Sequence, residues 1–344
     1  MKRIIFITMA SSFVGCVPPG GSWGNWGSAG NGGGGGGGGG STGAPPPSPN
    51  LVATGSAKQL QRLTHDDQNN ESEAMLSADG KWLLYTSTVK AEDGSIASNR
   101  IMRSKADGRG GVLLSKESGF TSSPAWLPSG SAYLAITDAM GSHDIVKSLR
   151  VAPNAAMSRV LSGRDVTDAD GVQVSPDGTQ IAFHSQVGGV WTVGVARIDG
   201  SELTHLVPGA YPAWSPDGKH IAFHRQVNNR WQIFITDSEG GELTQVTDGE
   251  ADDEQATWSP DGKWLAFVSN RGYARFPNAD ASTVENIYAI RADGTGLVAL
   301  TDGARSASAP DWGRDGKIYF ASTEGGTYDL WRLEPDKSAL ATAQ

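Results

Sequence analysis

Cysteine is almost absent from this chain. Its 344 residues include one, Cys16, so no disulfide can form within it. An excess of positive charge is also missing: the formal charge is −9. An acidic protein repels phosphate backbones, which argues against duplex DNA or RNA as a partner. The apolar run from Ile4 to Phe13 spans about ten residues, too few to cross a bilayer as a helix. Histidines are scarce, at His65, His143, His184, His205, His220 and His224, and the set is too scattered to form the cluster a metal enzyme needs. Two Gly-x-Ser-x-Gly matches, at Gly20 to Gly24 and Gly39 to Gly43, have no strand before them and no helix after them. A nucleophile elbow needs both, so neither marks a hydrolase, and Gly-x-Gly-x-x-Gly matches within Gly32 to Gly40 fail alike.

Glycine is plentiful, at 46 residues, and much of it is periodic. One phrase returns as Ser77-Ala-Asp-Gly80, Leu127-Pro-Ser-Gly130, Ser175-Pro-Asp-Gly178, Ser215-Pro-Asp-Gly218, Ser259-Pro-Asp-Gly262 and Gly313-Arg-Asp-Gly316. The glycines are 50, 48, 40, 44 and 54 residues apart. A period in this range marks stacked supersecondary units that bury their apolar faces on one another.

The fifth copy shows the unit best. Gln255 to Ser259 reads as a strand, and Pro260-Asp-Gly262 as a turn, with proline presetting φ and glycine taking the positive one. Lys263 to Ser269 returns as a second strand, Glu285 to Arg291 forms a third, and Leu297 to Thr301 a fourth. Four strands in a meander make one propeller blade. Trp126, Trp214, Trp258 and Trp312 share the position before the turn and are expected to be inter-blade core. The sixth copy lacks a fourth strand. Gln59 to Thr64, ending in Leu-Thr like the other fourth strands, is expected to supply it and close the ring. The fold class is therefore all-β: a six-bladed propeller over residues 57–335, with a short tail at 336–344.

The N-terminal stretch follows a different logic. Lys2 and Arg3 precede the apolar run, and Phe13-Val-Gly-Cys16 resembles a bacterial lipobox. That resemblance implies a signal peptide at 1–15, lipidation of Cys16 and, with Val17 next, an outer-membrane lipoprotein. Residues 16–56 hold nine glycines from Gly32 to Gly40 and Pro45-Pro46-Pro47, with no periodicity that could build a core. They read as a disordered tether of roughly 35 Å end to end.

Ser-Pro-Asp-Gly-Lys before an apolar strand, then Leu-Thr-Asp-Gly, resembles the WD40-like PD40 repeat of TolB-type propellers. The resemblance covers the chain beyond the tether and speaks to fold more than to function. TolB carries an N-terminal α/β domain where this chain has its tether. The resemblance implies a protein-binding propeller of the cell envelope, with a monomeric head and no catalytic residues. A different class, a carbohydrate-active lyase with a metal in the channel, is the alternative, because some propellers of this repeat type are such enzymes.

Residues just before each first strand are expected to face one mouth of the channel. They include Glu71, Glu73, Asp168, Asp170, Tyr211, Asp253 and Glu254. Carboxylates converging there would receive a basic or polar peptide segment, hold Ca²⁺ through oxygen ligands, or form a solvated rim. No other cofactor is expected. The run Asp165 to Gly171 does not meet the EF-hand spacing. His184 and His224 both follow Ala-Phe and are expected at equivalent positions of adjoining blades.

Overall fold

A computed structural model describes residues 52–343 except 67, 117–118, 139–142, 273–283, 304 and 325–326. The signal segment, Cys16 and the glycine-rich tether up to residue 51 lie outside the described residues.

Six four-stranded antiparallel sheets form the blades of one propeller. Their innermost strands are Asn69–Leu76, Thr121–Trp126, Thr167–Val174, Ala210–Trp214, Asp253–Trp258 and Ala307–Trp312, in blades 1 to 6. Each runs into the repeated turn, and the second strand returns from it. Blades 1 to 5 are each built from one continuous stretch of chain. Blade 6 takes Ala307–Trp312, Ile318–Ser322 and Asp329–Pro335 from the C-terminal end and its outer strand, Ala57–Arg62, from the N-terminal end. Ala57 pairs with Pro335 and Arg62 with Trp331.

The repeated phrase is a turn for a local reason. Ser259 Oγ donates to Asp261 Oδ1 at 2.6 Å and accepts the Trp264 N–H at 2.9 Å, while Gly262 sits at φ +69°. Blades 1, 3 and 4 repeat these bonds through Ser77, Ser175 and Ser215. The Leu-Thr ending has its own task. Thr301 Oγ1 accepts the Ile287 N–H at 2.8 Å, and Thr247 and Thr64 do the same for Ile233 and Leu330. Each hydroxyl satisfies a buried third-strand donor that the short outer strand leaves open.

Apolar residues on both faces of the middle strands fill the spaces between blades. Phe183, Phe223, Phe267 and Phe320 are completely buried. Trp126, Trp214, Trp258 and Trp312 are 7–8% exposed and pack between blades. Trp126 Nε1 donates to Met75 O and Trp258 Nε1 to Ala213 O, each on the preceding blade.

Both ends of the described chain fasten to the ring. Val52–Ala53 pairs with Thr301–Asp302 of blade 5, so the segment expected as linker up to residue 56 already carries sheet structure. The tail forms a helix, Lys337–Thr342, capped by Asp336, and buries Leu340. Arg291 of blade 5 donates to Ala343 O at 2.7 Å while stacking over Trp264.

Candidate functional site

Every inner strand breaks its register at one height. The irregularities fall between Ser72/Met75, Ser122/Ala125, Asp170/Gln173, Ala210/Ala213, Glu254/Thr257 and Ser308/Asp311. Within each stands one residue of left-handed backbone: Glu73, Ser123, Gly171, Tyr211, Gln255 and Ala309, with φ between +48° and +60°. A bulge of this kind turns its N–H out of the ladder. Here the N–H usually meets a side chain of the preceding blade. Glu73 Oε2 accepts from Ser123 N at 2.9 Å, His184 Nδ1 from Tyr211 N at 3.3 Å, His224 Nδ1 from Gln255 N at 3.0 Å, and Gln255 Oε1 from Ala309 N at 2.8 Å. In blade 3 the Gly171 N–H turns instead to Asp170 of its own strand.

The six bulges form the floor of a funnel. It opens at the end of the ring that carries the Ser-Pro-Asp-Gly turns, encloses about 550 Å³ and draws its walls from all six blades. Prolines 124, 176, 212, 260 and 310 and the four turn-adjacent tryptophans line it. Arg314 is its exposed cation at the rim of blade 6.

Of the acidic residues expected at one mouth, Glu73 belongs to this floor, together with Tyr211. The others do not share it. Glu71 is 5% exposed and sits in the seam between blades 1 and 6. Asp253 is fully buried and paired with Arg271. Glu254 lies beside Glu285, and burial followed by that neighbouring carboxylate pushes it up to about 8. Asp168 is exposed, and Asp170 is half-buried. Among the described residues, no group of three or more His, Cys, Asp or Glu is placed to hold a metal ion. The bulge explains the scatter: it shifts the alternation of faces, so neighbours in sequence point to floor, seam and solvent in turn.

Glu73 and Asp170 share a hydroxyl. Ser123 Oγ lies 2.5 Å from Asp170 Oδ1 and 3.2 Å from Glu73 Oε1. A hydroxyl carries one proton, so if it donates to Asp170 the contact with Glu73 needs a proton on Glu73. Burial and the Asp170 charge both raise Glu73, which favours that state.

His184 and His224 do occupy equivalent positions, opposite Val193 and Ile233 in the same register. They flank Tyr211 in a row of rings, Trp191, His184, Tyr211, His224 and Trp231, with neighbouring centroids 4.7–5.3 Å apart. Burial drives His184 down to about 4 and His224 to about 3, so both are neutral acceptors at pH 7. The sequence placed the pair but not its work, because the groups it serves are backbone N–H.

With the ring and its floor described, the comparison with known families can be made. The description of the TolB beta propeller domain, PD40, matches residues 173–275. These residues run from blade 3 into blade 5, where the Ser-Pro-Asp-Gly phrase is most complete. No curated protein matches the chain. Solved structures agree on the fold of the TolB-type ring. A TolB from Agrobacterium tumefaciens is 16% identical with a TM-score of 0.58, covering 80% of this chain and 97% of its own. A gluconolactonase from Xanthomonas campestris is 16% identical with a TM-score of 0.59, covering 84% and 96%. An oligogalacturonate lyase from Vibrio parahaemolyticus is 12% identical with a TM-score of 0.51, covering 85% and 98%. At these identities the likeness concerns fold alone: similar propellers carry the name TolB in one case and enzymes' names in two.

Proposed function

We propose that this chain is a non-catalytic binding platform of the bacterial cell envelope, held to a membrane through lipidated Cys16. The funnel carries this reading. It is preformed, walled by all six blades and lined by proline and tryptophan, which suits an inserted polypeptide segment. Few side chains must be ordered on binding, so little of the contact energy is lost to entropy. A photo-crosslinking residue in place of Arg314, in the full chain in its own envelope, should give a discrete protein adduct. The same residue in place of Leu149, which is 64% exposed on blade 2, should not. Equal labelling from both positions, or none from Arg314, argues against a funnel partner. Cys16→Ser should move the protein from the membrane pellet to the soluble fraction, and continued pelleting would remove the anchor from the proposal.

One observation favours a second reading, a carbohydrate-active enzyme holding a metal in the channel. His224 Nε2 is buried and has no hydrogen-bond partner. Against it, Nδ1 of both histidines is engaged by backbone N–H, which leaves each ring one nitrogen. A stoichiometric transition metal that His224→Gln removes would favour the enzyme.

A further inference from the structure

Blade 6 is the blade whose outer strand is joined to the rest by no chain connection, and buried or half-buried carboxyl groups gather on both of its seams. On the blade 1 side, Glu71 is buried, and its Oε2 has no hydrogen-bond partner. Its backbone N–H donates to Tyr328 O at 2.7 Å, which fixes it against the third strand of blade 6. Four side chains surround it from that side: Arg62 and Thr64 of the closing segment, Asp66 just beyond, and Asp329. Tyr85 of blade 1 faces it, and Arg100 acts on the neighbouring Asp66. Arg62 is engaged at 2.5 Å by Asp329, so its charge is largely spent there. Lower in the same seam, Asp311 Oδ2 accepts the Leu76 N–H at 2.9 Å, with Asp315 as its charged neighbour.

The blade 5 side repeats the theme. Glu285 Oε2 accepts from Ser306 Oγ at 2.6 Å, and Glu285 O accepts from Ala307 N at 3.0 Å, where the chain enters blade 6. Asp252 and Tyr328 face Glu285, and Glu254 lies close by with Asp252 and Asp253. Asp253 is neutralised by Arg271.

We propose that ring closure is a pH-responsive joint, in which protonated Glu71, Asp311, Glu254 and Glu285 hold blade 6 between its neighbours and their ionisation loosens the closing strand Ala57–Arg62. Uncharged carboxyl groups can be buried beside Asp329 or Asp252 without repulsion. Charged ones cannot, and for Glu71 desolvation outweighs the hydrogen bond from Thr64, while its Oε2 has no partner. The direction follows from the folded-state values. Burial places Asp311 at about 6, Glu71 and Glu285 at about 7 and Glu254 at about 8, all above their unfolded values. Closure is then firmest below the ordinary carboxylate range and weakens as pH rises through 6 to 8. The seams between blades 3, 4 and 5 are tied by His184 and His224, which stay neutral across that window. Glu73 on the seam between blades 1 and 2 is also raised, but there the chain runs on covalently and Thr86 Oγ1 and Ser123 N both donate to its Oε2. Asp311 also lines the funnel, whereas Glu71, Glu254 and Glu285 do not, so their part of the joint is independent of what the funnel binds.

Hydrogen exchange on the full chain tests it. After correction for intrinsic rates, amides of 57–62 and 329–335 should lose at least about tenfold protection between pH 5.5 and pH 8. Amides of 180–187 and 220–227 should hold theirs. Glu71→Gln, which mimics the protonated acid, should flatten the response on the blade 1 side. Glu254→Gln with Glu285→Gln should flatten it on the other side and serves if the first variant fails to fold. A loss shared equally by blades 3 and 4, a flat profile at 57–62, or an unaltered response in the folded variants overturns the joint.

Discussion

At the scale of single residues, the histidines set an acid limit. Their folded-state values lie below the ordinary 6.5 of a histidine, so the stability they confer is complete above pH 6.5. It declines as pH falls from there toward 4 and 3. The thermal midpoint should drop over this range, and the His184→Gln, His224→Gln double variant should lose part of the drop. His224→Ala is harsher. It leaves the Gln255 N–H unpaired and opens a cavity beside Tyr211 and Trp231, at a cost of about 2–4 kcal/mol in urea unfolding.

At the scale of the blade element, two motifs divide the labour. Gly262→Ala meets only Pro216 Cδ, at an ordinary contact distance of 3.8 Å, so its cost is backbone strain, about 1 kcal/mol. Thr301→Val keeps the shape but strands the Ile287 N–H, and equilibrium unfolding should register about 1–3 kcal/mol. Both motifs were legible in the sequence because each needs particular residue types: a hydroxyl, a carboxylate, a glycine. Blade count and the closing strand followed from them. The floor of the funnel was legible only at Glu73 and Tyr211. Its six bulge residues, Glu73, Ser123, Gly171, Tyr211, Gln255 and Ala309, share a backbone conformation and no chemistry. The acidic stretches showed the same weakness. Glu71 and Glu73 are two apart and would share a face in a regular strand, yet one lies in a seam and the other on the floor.

At the scale of the whole molecule, closure governs cooperativity. Removing 57–64 deletes the pairing with Asp329–Pro335, the Arg62–Asp329 ion pair and the Thr64 acceptor together. Blade 6 is then left with an open edge, and the variant should unfold in more than one step and self-associate on sizing columns. Truncation after Pro335 should be milder. It exposes the site of Leu340 and frees Arg291, so a single transition at a lower midpoint is expected in calorimetry.

The two fastened ends carry one last implication. Val52 and Ala343 both bind blade 5, so a linker joining them would connect two points on one blade. The chain could then be opened elsewhere, for instance between Gly188 and Gly189 at the tip of a blade 3 hairpin. Such a circular permutant would keep every blade and turn its one unlinked joint into a covalent one. The place where this ring begins is thus a choice of the gene rather than of the fold, while the carboxyl groups on the two seams of blade 6 would stay where they are.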